Sequence, residues 1–233
     1  KEAEAAADAA LALQPDASEA LHLKSTIALE TGRIGEAQGL FARLRRAAPD
    51  HPAALNGLAR AAALACDWTT AQEITPALLD AARFGSALVQ PMVLMGYCDD
   101  PALLRRAAET AIARSVPPHA PLPKVRYAHD RIRLAYVSAD FHNHPTAALA
   151  AELFETHDRS RFTVIAVSCG PDDGSALRAR MVRAFDEFHD VRAKSDREAA
   201  ELMRALEIDI AVDFSGHTMN GRPGILSWRP ATV

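Results

Sequence analysis

The sequence predicts a chain built in two parts: α-helical tetratricopeptide-like repeats, followed by an α/β Rossmann-like lobe with a doubly wound parallel sheet. Three observations carry this. Gln14-Pro15-Asp16 returns as Ala48-Pro49-Asp50 with the prolines 34 residues apart, the length of a helical-hairpin repeat that proline closes. From about Asp130 onward, short apolar runs alternate with stretches of helical period. Two of those runs end in a polar turn carrying an aspartate and, four positions later, a histidine: Asp140 with His144, and Asp213 with His217. We therefore draw repeats over 1–80, a helical and proline-rich connector over 81–129, and the α/β lobe over 130–233.

In the first part, aligning the segments on Pro15 and Pro49 matches Leu21 with Leu55, Ala28 with Ala62 and Ala37 with Ala71. In such repeats small residues let two antiparallel helices approach, and an aromatic plugs the next repeat. Ser25 and Ala37 take the small positions, Phe41 the aromatic one and Pro49 the terminator, while Leu21 and Ala28 replace the signature tryptophan and tyrosine. Counting back one period puts Ala3, Ala7 and Ala10 on the second helix of an earlier repeat. A hairpin cannot bury its apolar face alone, so we expect further repeats upstream of Lys1.

The period decays after about residue 80 into Leu88–Tyr97 and a helix from Pro101 to Ser115, capped by Asp99 or Asp100. Val116–Pro123 contains four prolines and reads as a stiff connector. Beyond it come a strand over Ile132–Ala139, a helix over Thr146–His157, a strand over Phe162–Ser168 and a helix over Gly174–Phe185. A short strand over Phe188–Val191, an amphipathic helix over Asp196–Leu206 and a strand over Ile208–Val212 complete the pattern, and another strand begins at Ala231-Thr232-Val233. The first strand is not followed by GxGxxG, which argues against a dinucleotide site of the dehydrogenase kind.

The 233 residues carry a formal net charge of −4, whereas a nucleic-acid footprint is a basic face with a pI above about 9; we expect no nucleic-acid partner. Cys66, Cys98 and Cys169 are odd in number and far apart, which points away from a disulfide framework and toward a reducing, cytoplasmic setting. No apolar run approaches the roughly 20 residues of a membrane helix, so no membrane association is expected.

Four motifs resemble those of the O-linked N-acetylglucosamine transferases and their SPINDLY-type relatives: Asp140-Phe141-His142-Asn143-His144-Pro145-Thr146, Pro171-Asp172-Asp173-Gly174, Ser215-Gly216-His217-Thr218 and Arg229-Pro230-Ala231. They occur in the family's order, behind tetratricopeptide-like repeats. Gly96-Tyr97-Cys98-Asp99-Asp100-Pro101 also looks like the family's segment between repeats and catalytic lobe. The resemblance implies the first half of a GT-B glycosyltransferase with two Rossmann-like lobes. It further implies an inverting mechanism without a metal or other cofactor, UDP-GlcNAc as donor, and Ser or Thr hydroxyls of acceptor proteins, held along the repeat groove, as acceptors. In the family a second lobe follows the Arg-Pro-Ala stretch, so we expect the chain to continue beyond Val233. Two alternatives accompany this reading: a protein O-fucosyltransferase using GDP-fucose, and a non-catalytic repeat scaffold. Thr146 after His144-Pro145 favours the glucosamine branch over the fucose branch.

Such a transfer removes a proton from the acceptor hydroxyl while negative charge grows on the departing UDP. A neutral imidazole suits contact with either event, since its ordinary pKa is near 6.5. His144 is the first catalytic candidate, at a strand end beside a helix start opened by Pro145 and Thr146, and His217 is the second. Pro145, Thr146, Asp140, Asp213, Gly216 and Thr218 are read as substrate-binding. The two aspartates have a competing reading as caps of the turns that follow their strands. No metal site is expected. His22, His51, His119, His129, His157 and His189 are read as surface or packing residues, Cys169 as a structural thiol, and Arg43, Arg45 and Arg46 as a solvated helix face.

Overall fold

A computed structural model describes all 233 residues, and they separate into two compact units, Lys1–Arg114 and Ser115–Val233. The first is entirely helical: α1 (Glu2–Leu13), α2 (Ser18–Glu30), α3 (Ile34–Ala47), α4 (Ala54–Leu64), α5 (Trp68–Phe84), α6 (Pro91–Leu94) and α7 (Pro101–Ser115). None of the protein's helices is long and apolar enough to cross a membrane.

Most residues singled out by the 34-residue period lie in the core of the helical unit, while Leu55 and Ala71 are only partly buried. Leu21, Ser25, Ala28 and Ala37 are fully enclosed, as are Ala61 and Ala62. The ring of Phe41 on α3 sits where a side chain at Gly57 on α4 would project, only 2.2 Å from an added Cβ. A glycine there is what lets the two helices close around the ring. Asp67 caps α5 by accepting the Thr70 N–H at 3.1 Å, and Gly85, left-handed at φ 67°, ends it. The Tyr97 hydroxyl donates to the Ala59 carbonyl at 2.6 Å and fastens the segment after α6 to α4.

The second unit contains a four-stranded parallel sheet of β1 (Ile132–Ser138), β2 (Phe162–Ser168), β3 (Glu187–Asp190) and β4 (Ile210–Asp213), ordered β3-β2-β1-β4. Alternation along the strands sends successive side chains to opposite faces. Leu134, Tyr136, Val164 and Ala166 join Phe154 of α8 (Pro145–Glu155) and Met181 of α9 (Ala176–Ala184) on one side. Ala135, Val137, Ile165 and Val167 meet Met203 of α10 (Asp196–Ala205) and Ile225 of α11 (Pro223–Ser227) on the other. Both faces are covered, which is why the central strands read as largely apolar runs, Leu134–Val137 and Val164–Val167, rather than as alternation of apolar and polar residues.

Several boundaries differ from the sequence reading for local reasons. Helix α8 begins one residue early because Pro145 occupies its first turn and His144 caps it. Helix α9 begins two residues late: Asp172 and Asp173 accept the Gly174 and Ser175 N–H groups at 3.0 Å each, folding that stretch into a turn that Ser175 then caps. At Val233 the backbone makes a parallel-type rung on β4, donating to Asp209 and accepting from Ala211 at 2.9 Å each.

The predicted connector is divided. Residues 81–114 lie in the helical unit, while the proline-rich stretch packs on the α/β unit. There the His119 ring stacks on Trp228 at 3.7 Å, Leu122 N–H donates to the Trp228 carbonyl at 2.8 Å, and Arg204 donates to the Pro123 carbonyl at 2.8 Å.

Candidate functional site

Strand β1 has β2 on one side and β4 on the other, so the chain reverses its direction of travel across the sheet between β1 and β4. Their register pairs Val137 with Asp213. The two histidine-bearing loops therefore leave the same edge of the sheet, from adjacent strands. Ligands of open α/β sheets bind at such a crevice, outside the carboxyl ends of the strands.

Buried serines fasten the loops to each other. Ser215 Oγ accepts the Ala139 N–H at 3.0 Å and lies 3.1 Å from Ser138 Oγ, which in turn accepts the Asp140 N–H at 3.0 Å. The Phe214 N–H adds a rung to the Val137 carbonyl at 2.9 Å. The loop after β2 joins them: Cys169 N–H donates to the Ser138 carbonyl at 2.9 Å, and Gly170 lies so close that an added Cβ would stand 1.6 Å from the Ala139 oxygen.

His144 is half-buried and acts as the N-cap of α8, its Nδ1 accepting the Thr146 N–H at 3.2 Å. Because Nδ1 accepts, the neutral ring carries its proton on Nε2, which is then a donor. Asp140 is buried, with Oδ1 3.9 Å from that same Nδ1, beyond hydrogen-bond length. The helix start offers an anion fewer amides than the motif suggests: Pro145 has none, Thr146 is taken by the His144 ring, and Ala148 by the His144 carbonyl at 3.1 Å.

On the neighbouring loop His217 and Thr218 are exposed, and Thr218 turns its hydroxyl back to the Ser215 carbonyl at 2.7 Å. Asp213 accepts the Ser215 N–H at 3.1 Å and the Gly216 N–H at 2.8 Å, so its carboxylate shapes the turn before His217. Gly216 sits at φ +56°, the left-handed region that favours glycine.

Residues the sequence reading passed over hold the first loop in shape. Arg178 is buried and donates through Nη1 to the Phe141 carbonyl and to Ser168 Oγ, both at 2.9 Å, with its guanidinium 4.4 Å from the Phe188 ring centre. Asp173 accepts the Asn143 N–H at 2.9 Å, and its Oδ2 lies 3.8 Å from His142 Nδ1. The Ser175 hydroxyl and the Asn143 and Ser175 amides bring the Asp173 carboxyl down to about 2. The aspartates of Pro171-Asp172-Asp173-Gly174 were visible as a motif; Arg178 gave no signal, since arginine on an amphipathic helix normally faces water. Burial pushes the Cys169 thiol up to about 11, leaving it protonated and unreactive at neutral pH.

The model of the family described as Glycosyl transferase family 41 matches residues 112–233. Among curated proteins, "Probable UDP-N-acetylglucosamine--peptide N-acetylglucosaminyltransferase SEC" of Arabidopsis thaliana is 31% identical over 157 residues, which are 62% of this chain and 16% of that protein. A UDP-N-acetylglucosamine--peptide N-acetylglucosaminyltransferase of Caenorhabditis elegans is 34% identical over 104 residues, 44% of this chain and 9% of the relative. Among solved structures, a mutant O-GlcNAc transferase of Thermobaculum terrenum superimposes with a TM-score of 0.68 at 29% identity, covering 99% of this chain and 45% of that one. The chain thus spans less than half the length of each. The matched segment takes in more than half of the 233 residues and both histidine loops, and on that ground the chain belongs to glycosyl transferase family 41.

Proposed function

We propose that this chain forms part of an inverting glycosyltransferase that moves N-acetylglucosamine from UDP-GlcNAc to Ser or Thr hydroxyls of proteins. The observation that carries the reading is the pair of histidine loops, side by side and hydrogen-bonded together, at the point where the strand order reverses. We read the α/β unit as the first lobe of a GT-B enzyme and the helical unit as tetratricopeptide-like repeats that bind the acceptor polypeptide. The three free cysteines fit a cytoplasmic setting. The relatives, SPINDLY proteins included, are named for UDP-N-acetylglucosamine as donor, which supports that donor over GDP-fucose.

In the transfer, the acceptor oxygen attacks the anomeric carbon as the bond to UDP breaks, UDP leaves with the electron pair, and the acceptor's proton passes to a phosphate oxygen of the donor. We read His144 as facing the leaving group, which its capping role supports by leaving Nε2–H free to donate: Nε2–H would donate to a diphosphate oxygen as its charge grows, a stabilisation larger in the transition state than in the ground state. In this tautomer the ring does not take the acceptor proton. We read His217, two residues beyond the tie formed by Ser215, as lining the sugar or acceptor pocket together with Gly216 and Thr218.

The test uses the full-length protein that contains this chain, a Ser/Thr peptide, and UDP-GlcNAc or GDP-fucose as donor, read by peptide mass. A hexosamine adduct from UDP-GlcNAc that disappears in His144→Ala is expected. A deoxyhexose adduct selects the fucose reading, and no adduct from either donor leaves the scaffold.

A further inference from the structure

Glu19 and His22 stand one turn apart on α2, and His51 comes from the turn between α3 and α4. One donor atom from each lies within 4.8 Å of the others. His51 Nε2 is 3.6 Å from Glu19 Oε1, and the two imidazoles meet edge to face with centroids 4.9 Å apart. The His51 side chain is 9% exposed and that of Glu19 87%, so the trio is enclosed on one side and open to water on the other.

Repeat packing does not require these residues. One 34-residue period along, Glu19 and His22 become Ala53 and Asn56, and one period back His51 becomes Ala17. The equivalent positions are filled by small or neutral side chains, yet here two imidazoles and a carboxylate converge.

We propose that Glu19, His22 and His51 bind one divalent transition-metal ion, zinc by preference, with water completing its coordination. Two imidazole nitrogens and one carboxylate oxygen suit zinc and its neighbours in the first transition row, whereas magnesium and calcium take oxygen ligands. Ligands around zinc at bond lengths of about 2.0–2.1 Å stand about 3.3 Å apart, so binding draws the three groups inward, and the exposed Glu19 side chain is free to adjust. His51 Nδ1 accepts the Ala53 N–H at 3.3 Å, a long and weak bond that keeps the ring's proton on Nε2. Coordination through Nε2 moves that proton to Nδ1 and releases Ala53. The ion thereby joins the α3–α4 turn to α2 in place of a weak contact.

The experiment titrates zinc, by calorimetry, into the whole chain after removal of any affinity tag. One zinc per chain is expected, with affinity at least about tenfold weaker in both Glu19→Gln and His22→Asn, since even outer-sphere partners typically contribute about 10–100-fold. Glu19 is exposed, and asparagine already occupies the repeat equivalent of His22, so both variants should keep the fold, which circular dichroism checks. Cobalt in place of zinc should give visible absorption lost in the same variants, and nitrogen NMR should report His51 changing tautomer on loading. Absence of zinc binding, or binding undiminished in both variants, overturns the proposal.

Discussion

Ser215 Oγ, from the loop after β4, accepts the Ala139 N–H at 3.0 Å and lies 3.1 Å from Ser138 Oγ, at the end of β1, across 77 residues of sequence. Both serines are buried, so this contact sets the spacing of the loops that carry His144 and His217.

Ser215→Ala should leave the Ala139 amide buried without its acceptor. The expected cost is about 1–3 kcal/mol of stability, measured by denaturant unfolding. In the full-length protein the same change should lower the transfer rate more than it weakens binding of an isolated nucleotide, because it loosens one loop against the other.

His144 caps α8, and the proposed transfer gives it a second duty, facing the leaving group; substitution separates the two. His144→Ala should cost about 1 kcal/mol as a lost cap and about 10²–10³ in transfer rate as a lost hydrogen-bond donor. His144→Asn should recover the cap without the activity. An asparagine variant as active as the parent would remove the ring from the mechanism.

Gly170→Ala should be far more damaging than Gly174→Ala. At Gly170 the added carbon meets the Ala139 backbone at 1.6 Å, and overpacking against rigid backbone should cost about 3 kcal/mol or more. At Gly174 nothing lies within 4 Å, but φ is +65°, a left-handed strain of about 1–2 kcal/mol. Thermal unfolding of the two variants distinguishes them.

His129 gives the α/β unit a pH dependence of predictable sign. Its ring nitrogens lie 3.0 Å from Glu207 Oε2 and 2.9 Å from Asp209 Oδ2, and Tyr127 stacks on it. The hydrogen bonds to Glu207 and then Asp209 raise its pKa in the folded protein. A group with a raised folded pKa contributes fully below its unfolded value near 6.5 and loses that contribution as pH climbs through the folded value. Unfolding free energy measured against pH should therefore fall across the range above about 6.5 in the parent, and fall less in His129→Gln.

Much of the architecture was legible in local pattern. The period linking Pro15 to Pro49 marked residues that the helical core encloses, among them Leu21, Ala28 and Ala37. The largely apolar runs marked β1 and β2 because both sides of the sheet are covered. Boundaries slipped where side chains compete for backbone: Asp172 and Asp173 delay α9, and His144 caps α8. The candidate site was legible only as short, separate motifs. That Ser138, Gly170, Asp173 and Arg178 hold them in place is a matter of residues distant in sequence, and the same holds for the meeting of His22 with His51.

The sequence alone determined most of the helices and strands, though not the short α6 and α11, as well as which loops carry imidazole, and the family, because apolar period, turn chemistry and short motifs are local properties. Only the tertiary structure decided that β4 lies against β1, so that His144 and His217 leave one edge. It also decided which nitrogen of His144 accepts the Thr146 amide. Strand order and hydrogen-bond partners depend on contacts between residues far apart along the chain, and no local pattern encodes them.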